Sequence, residues 1–417
     1  MMERRVMAPG IGPARGEMLM GFNPLVGVLY HWLGGLASAS CYLPFRGIRR
    51  WSWETYWLVQ GTFSWILAPT IIASLLVPHV FAVLHAAPAS SLFYAYFWGC
   101  LWGIGGLTCG LSIRYLGFAL GYPIVLGLCT VFGTLMPPIF NGTIGEILRE
   151  NSGHVILLGL GVCVVGILFS GFAGRSKEDE LTESQKRETV QEFQYGRGLA
   201  VAILSGVMSA CFAYGVAAGK PIGEIARTEL LAHGGSDIWQ NLPALIVVML
   251  GGFTTNFVWC VVLLVRNHSA GQYAGVPARE VGQNILVTKA STPIVGEAGF
   301  DFHAAPRLPG GVMLFNYAFA ALAGVVWYFQ FFFYSMGQTK MGRYDFSSWT
   351  LHMASIMIFA TIIGIFLHEW RGTSVRTRGL VAGGLLFLVL STVVVGYGNY
   401  MKGREDGGQA ASAVVRQ

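Results

Sequence analysis

Apolar runs of about twenty residues recur ten times along this chain, at roughly 24–44, 55–77, 91–113, 117–140, 154–173, 198–218, 241–265, 312–335, 346–367 and 379–400. A helix rises about 1.5 Å per residue, so such a run crosses the hydrocarbon core with its backbone groups bonded inside the segment. Charged residues make up only 12% of the sequence, against roughly 25% in a soluble domain. Mean hydropathy is +0.56. The expectation is an all-α integral membrane protein of about ten transmembrane helices, in which length counts spans rather than domains.

The polar stretches divide the chain. Residues 1–23 form an N-terminal tail and 401–417 a C-terminal one, while 24–173 holds five spans and 198–400 five more. Between them, 174–197 carries a charge run from Arg175 to Glu192 and reads as a solvated cytoplasmic linker. The stretch 266–311 is rich in Gly, Pro and Ala and reads as a flexible insertion. Connections after the odd-numbered spans hold 16 of the 27 Lys and Arg, which places them in the cytoplasm and both termini outside. Leu36-Ala-Ser-Ala-Ser-Cys41 superficially resembles a lipoprotein cleavage site. The basic cluster Arg46, Arg49 and Arg50 that follows at once anchors an uncleaved first helix instead. Small-residue patterns recur at matching places: Gly35, Ser38 and Tyr42 in span one against Gly206, Ser209 and Tyr214 in span six. Five spans per half is an odd number, so the expected architecture is two inverted five-helix repeats that rock around a midplane site.

Inside the spans the polar inventory is short: His31, Gln60, Asn256, Asn316, Gln330 and His352, with Ser and Thr hydroxyls. The stretch Asn316–His352 concentrates it. Helical spacing puts Asn316, Trp327, Gln330 and Tyr334 on one face, and Asp345, Trp349 and His352 on one face of the next segment. Two polar aromatic stripes in an apolar pair are suited to line a cavity for a small polar molecule. Asn256, Trp102 and Ser38, the last on a face with His31 and Gly35, complete the candidate substrate-binding set. Mid-span carboxylates are absent. The candidates for carrying a proton are therefore His352 and His31, which titrate near ambient pH, with Asp345 and Glu54 at span entrances in reserve.

All seven cysteines sit in apolar runs without a CxxC pair and read as small core residues, neither disulfides nor metal ligands. No nucleotide-binding, metalloprotease or nucleophile-elbow motif occurs, so neither an enzyme nor a cofactor is expected. A nucleic-acid partner is not expected either, since the net charge of +6 lies in loops and not in a binding motif. Without an ATP site, transport must draw on an ion or substrate gradient. A lining of Gln, Asn, Ser, Tyr and Trp suits a neutral hydroxylated solute: amides exchange hydrogen bonds with hydroxyls and ring faces cover C–H patches.

Several of these stretches resemble the bacterial L-rhamnose–proton symporter family, a ten-span branch of the drug/metabolite transporter superfamily. They are His31-Trp-Leu-Gly34, Trp51-Ser-Trp-Glu54, Ser64-Trp65, Trp102-Gly-Ile-Gly105, Arg114-Tyr-Leu-Gly117, Lys220-Pro221, the Trp327–Tyr334 block, Tyr344-Asp345, Ser348-Trp349 and Leu351-His352-Met353. The resemblance covers nearly all the spans and implies an inner-membrane carrier that couples entry of L-rhamnose or a related deoxysugar to proton entry. The alternative is another carrier or exporter of a small polar metabolite. Two departures concern specificity: Gly215–Lys220 lacks the amide expected in span six, and Gly106–Cys109 replaces an amide-rich patch.

Overall fold

The computed structural model describes residues 22–116, 118–180, 194–276 and 307–415, all of them in helices and the connections between helices. Among these residues nine helices are long and apolar enough to cross a membrane. The tenth expected span, Pro24–Ser40, is a helix of 17 residues, long enough for about 25 Å. The spans are one (Pro24–Ser40), two (Trp53–Leu76), three (Ala89–Leu116), four (Phe118–Phe140), five (Asn151–Asp179), six (Tyr195–Ala218), seven (Leu242–Arg266), eight (Gly310–Thr339), nine (Ser348–Phe366) and ten (Val375–Val415). The seven cysteines are free.

Local chemistry sets the span ends. Asn23 caps span one by accepting the Val26 amide at 3.2 Å, and Pro24 sits where a helix lacks an amide partner anyway. Span six stops at Ala218, and Pro221 opens a new helix, Lys220–Ala232, that buries Ile222, Ala226 and Leu230 along one face. Span two is α-helical at both ends but widens into a π-turn over Thr62–Leu67. Pro69 has no amide to give the Trp65 carbonyl, which removes one α-helical bond from this stretch and favours the looser turn.

The packing follows an exchange rule. Span six lies against spans three and four, and span one against eight and nine; seven packs on three as two packs on eight; five and ten pack on each other. Adding or subtracting five converts each pairing into another one, so the two halves repeat each other's arrangement. Approach between spans is close where glycine allows it. A Cβ on Gly35 would stand 2.5 Å from the Ser355 carbonyl carbon of span nine, a distance no side chain tolerates.

Contacts sort the connections into two faces. On one, the Asn23 amide donates to the Lys340 carbonyl, Lys402 meets Glu150 at 2.6 Å, and Lys220 meets Asp345 at 2.8 Å. This face carries the two ends of the membrane bundle. On the other, Arg46 meets Glu369, Glu180 accepts from Ser374, and Asn316 holds Arg49, which brings the odd-numbered connections together. The linker 174–197 begins as helix, since span five runs on to Asp179; residues 181–193 lie outside the described residues. One expectation needs correction here. The stretch 266–311 is not uniformly a flexible insertion. Ala270–Ala274 is a 3-10 turn packed into the bundle, and the Leu308 amide donates to the Gly275 carbonyl at 2.9 Å; residues 277–306 lie outside the described residues.

Candidate functional site

The middle of the bundle holds a cluster of rings built from four spans. His31 of span one lies 5.5 Å from Tyr334 of span eight and 6.4 Å from His352 of span nine, centroid to centroid. Tyr334 lies 5.2 Å from His352 and 5.8 Å from Trp349. Phe212 of span six stacks on Trp349 at 5.6 Å and touches Phe331 at 4.2 Å. Helical spacing explains the gathering: Phe331 and Tyr334 are three residues apart, as are Trp349 and His352, so each pair shares a face. Glycines let the imidazoles in. A Cβ on Gly337 would come within 2.7 Å of His31 Nε2, and one on Gly34 within 3.4 Å of His352 Nδ1.

Both imidazoles are fully buried, and all four of their ring nitrogens lack a hydrogen-bond partner. Gln330 is also buried with its Nε2 unpartnered. A buried polar group without a partner costs about 1–3 kcal/mol, and here four such nitrogens stand together.

The cluster forms the back of a cavity. About 200 Å³ of space opens beside Gly133, Ala213, Tyr334, Trp349 and Gln338, with Lys220 and Asp345 among its lining residues. A second space of about 190 Å³ shares Lys220, Gln338 and Asp345. Both lie on the face that carries the two ends of the bundle. The wall between cavity and histidines is Tyr334 and Trp349, whose indole donates to the Cys129 carbonyl at 3.0 Å.

The opposite face is sealed. The Gln272 Oε1 accepts from the Ser52 amide at 2.8 Å, the Ser52 hydroxyl at 3.0 Å and the Thr55 hydroxyl at 2.7 Å, while the Trp51 indole donates to the Gln272 carbonyl. Phe45, Trp51 and Tyr56 pack with Ala320 and Ala323 beneath it. Between seal and cluster stand four tryptophans. Trp102 stacks on Trp327 at 5.8 Å, Trp65 meets both edge-on, and Trp57 meets Trp65 at 6.1 Å. The Trp65 indole nitrogen has no partner.

The residues expected from sequence thus divide. His31, His352 and Tyr334 come together, and Trp327 and Trp102 stand in the adjoining box, linked to the cluster through Phe331. Asn316 does not join them. Its amide accepts from the Arg49 amide and donates to the Arg49 carbonyl, both at 2.9 Å, which makes it a clasp of the sealed face. It shares a helical face with Gln330 but lies about 21 Å along the axis. Asn256 donates to the Gly252 carbonyl and accepts from the Trp57 indole, so it orients a ring of the box. Ser38 lies about 10 Å along span one from His31, with its carbonyl accepting from Cys41. Glu54 sits in the seal, accepting from Asn267 at 3.1 Å and Ser269 at 2.6 Å. Asp345 does not share a helix with His352: it belongs to a 3-10 turn kinked at Tyr344, span nine starts only at Ser348, and its carboxylate is paired with Lys220. Trp349, on the second expected stripe, carries the wall; among residues outside the expected site set, Phe212 backs that wall and Lys220 stands at the mouth.

The family model described as L-rhamnose-proton symport protein (RhaT) matches residues 20–295 and 300–401. This chain belongs to that family. It is 33% identical over 380 residues to a protein of Mannheimia succiniciproducens named L-rhamnose-proton symporter, covering 91% of this chain and 99% of the relative. Proteins of the same name from Cronobacter sakazakii (33% over 374 residues) and Salmonella typhi (32% over 374 residues) align over 89% of the chain and 97% of each relative. As a member of this family it is a multi-pass membrane carrier and not an enzyme.

Proposed function

We propose that this chain carries L-rhamnose, or a related deoxysugar, into the bacterial cell across the inner membrane together with a proton. The observation that supports this reading most is the pair of buried histidines with four unpartnered ring nitrogens directly behind the cavity wall. Two imidazoles this close in a dry core cannot both be charged cheaply, so the pair carries one proton at a time. Sugar enters the cavity from the open face. Tyr334 and Trp349 line the cavity and offer it a hydroxyl and ring faces, and Gln330, one helical turn deeper on span eight than Tyr334, offers an unpartnered amide hydrogen as the sugar moves inward.

The exchange rule in the packing fits two five-helix repeats, and an odd number of crossings per repeat sets them in opposite orientations. Rocking of such repeats closes the Lys220–Asp345 mouth and opens the Gln272 seal. By the Lys and Arg distribution the open face is the outer one. Loading the histidine pair with a proton from outside, and emptying it inside, ties proton entry to sugar entry.

Reconstituted vesicles test the reading. The wild-type chain should accumulate L-rhamnose when the pH gradient is imposed. A His352→Gln chain should still exchange labelled for unlabelled sugar, because exchange moves no net proton, and should fail to accumulate it. Accumulation by both His352→Gln and His31→Gln with the parent's pH dependence would remove the histidines from coupling.

A further inference from the structure

Away from the cavity, two connections of the open face bring three metal-ligating side chains together. His79 ends the turn after span two, and Glu229 and His233 lie at the end of helix Lys220–Ala232, one turn apart on the same side. The His79 Nδ1 is 2.7 Å from the Glu229 Oε1, and the His233 Nδ1 is 3.5 Å from that same oxygen. The two imidazole centroids are 5.2 Å apart and their rings cross at 74°. One ligand atom from each of the three residues lies within 4.8 Å of the others.

We propose that His79, Glu229 and His233 bind a divalent transition-metal ion, which bridges the connection between spans two and three and the helix between spans six and seven. The donor set argues for the class of ion. Two imidazoles and one carboxylate match borderline cations such as Zn²⁺, whereas Mg²⁺ and Ca²⁺ prefer an all-oxygen shell. Zinc ligands sit about 2.0–2.1 Å from the ion, which in a tetrahedron puts them roughly 3.3 Å apart. The His79 Nδ1–Glu229 Oε1 distance of 2.7 Å is shorter than that value, and the His79 and His233 side chains are exposed enough to open around an ion. A fourth position stays open to water.

The surroundings support the assignment. The His233 Nδ1 is 2.9 Å from the Glu229 carbonyl oxygen. Donating a proton there leaves its Nε2 as the free lone pair, the usual state of a ligating histidine with its second nitrogen anchored. His79 adopts a left-handed backbone at φ +48, which turns the chain sharply between Leu76 and the short helix Val80–Ala86. The ligands come from both halves of the chain, 150 residues apart. The helix that bears two of them lines the cavity mouth through Lys220, Gly223 and Glu224.

The test uses the full chain, purified without a polyhistidine tag, stripped by chelator and titrated calorimetrically with Zn²⁺ alone. One Zn²⁺ per chain should bind, Mg²⁺ at the same concentrations should not, and His79→Gln and His233→Gln should each weaken Zn²⁺ binding at least tenfold. Melting temperatures of both variants in chelator should equal that of the wild type, which separates ligand loss from misfolding. Should either fall, His79→Asn and His233→Asn replace them under the same criterion. A wild-type chain that takes up no Zn²⁺ overturns the proposal. So does a folded His79 variant that binds as tightly as wild type, because the ion would then rest on one helix and bridge nothing.

Discussion

Replacing Asn316 by alanine distinguishes a clasp from a cavity lining. In the structure its amide makes two bonds with the Arg49 backbone, each 2.9 Å, across 267 residues of chain. Removing it leaves an amide and a carbonyl without their partner. A fully buried orphan costs about 1–3 kcal/mol, but Arg49 is exposed and water reaches part of its backbone. The low end therefore applies, about 1–2 kcal/mol for the pair. Spent on the sealed conformation alone, that amount raises the population with this face open roughly 5–30-fold. Hydrogen exchange of residues 41–56, followed by mass spectrometry on the purified chain, should speed up by about that factor. Exchange at the far face, around residues 219–240, should not. Rhamnose binding by the protein locked open on the cavity side should be unaltered. Unchanged exchange in 41–56 together with weakened sugar binding would refute the clasp and return Asn316 to the cavity.

Gln330→Ala should weaken rhamnose binding by about 1–3 kcal/mol through the loss of one hydrogen-bonding side chain; normal affinity in a well-folded variant, measured by calorimetry, removes Gln330 from the site. Neutralising Lys220 or Asp345 singly should slow uptake more than neutralising both, with a coupling energy under about 1 kcal/mol because the pair is partly exposed; additive effects in the double variant would exclude the pair as a unit. Glu180 is held below the usual carboxylate range by bonds from Ser374 and Thr377 and so caps the start of span ten. A depressed acid stabilises only while ionised, so protection of residues 372–380 against hydrogen exchange should persist at neutral pH, fade as the pH falls through that lowered value, and be absent at all pH in Glu180→Gln. A cysteine at position 410 should react with an impermeant thiol reagent on intact spheroplasts and one at 185 should not; the reverse pattern inverts the orientation drawn from the basic residues.

Sequence carried the spans because burial in lipid demands long apolar runs, and no tertiary contact can relax that demand. It also singled out His31, His352 and Tyr334, which the structure brings side by side, since a titratable or polar group inside such a run is costly to hold there. It failed on Asn316 and Asp345 for one shared reason. Helical phase says which face a residue occupies but not how far along the axis its partner stands, nor whether the helix is continuous. Asn316 has the right phase and the wrong height, and the kink at Tyr344 separates Asp345 from His352. Gln272 was hidden differently. It lies in a stretch of low hydrophobicity that reads as loop, and its value comes from Ser52 and Thr55, which lie more than 200 residues earlier. The His79, Glu229 and His233 group is likewise invisible to spacing, as no short motif joins residues 150 positions apart.

The unequal treatment of polar groups along the bundle bears on mechanism. On the sealed face they are paired: the Gln272 Oε1 has three donors, Asn316 has two partners and Glu54 has two. At the centre they are not, as the nitrogens of His31 and His352, the Gln330 Nε2, the Gln60 Oε1 and the Trp65 Nε1 stand without partners. A conformational change can be driven only by interactions that differ between states. The seal supplies bonds that exist in one state and break in the other. The centre supplies groups whose cost, about 1–3 kcal/mol each, a hydroxylated ligand can relieve. Binding at the centre can then offset breaking the seal, whereas an empty centre offers nothing in exchange for it. A proton alone turns a neutral imidazole into a buried cation whose two N–H donors still lack acceptors, which raises the cost, whereas a hydroxylated ligand can accept from those donors as well as from Gln330 and Trp65. Under the proposed coupling, a proton on this pair is therefore costly without the ligand's acceptors, which is the energetic condition for moving the two together.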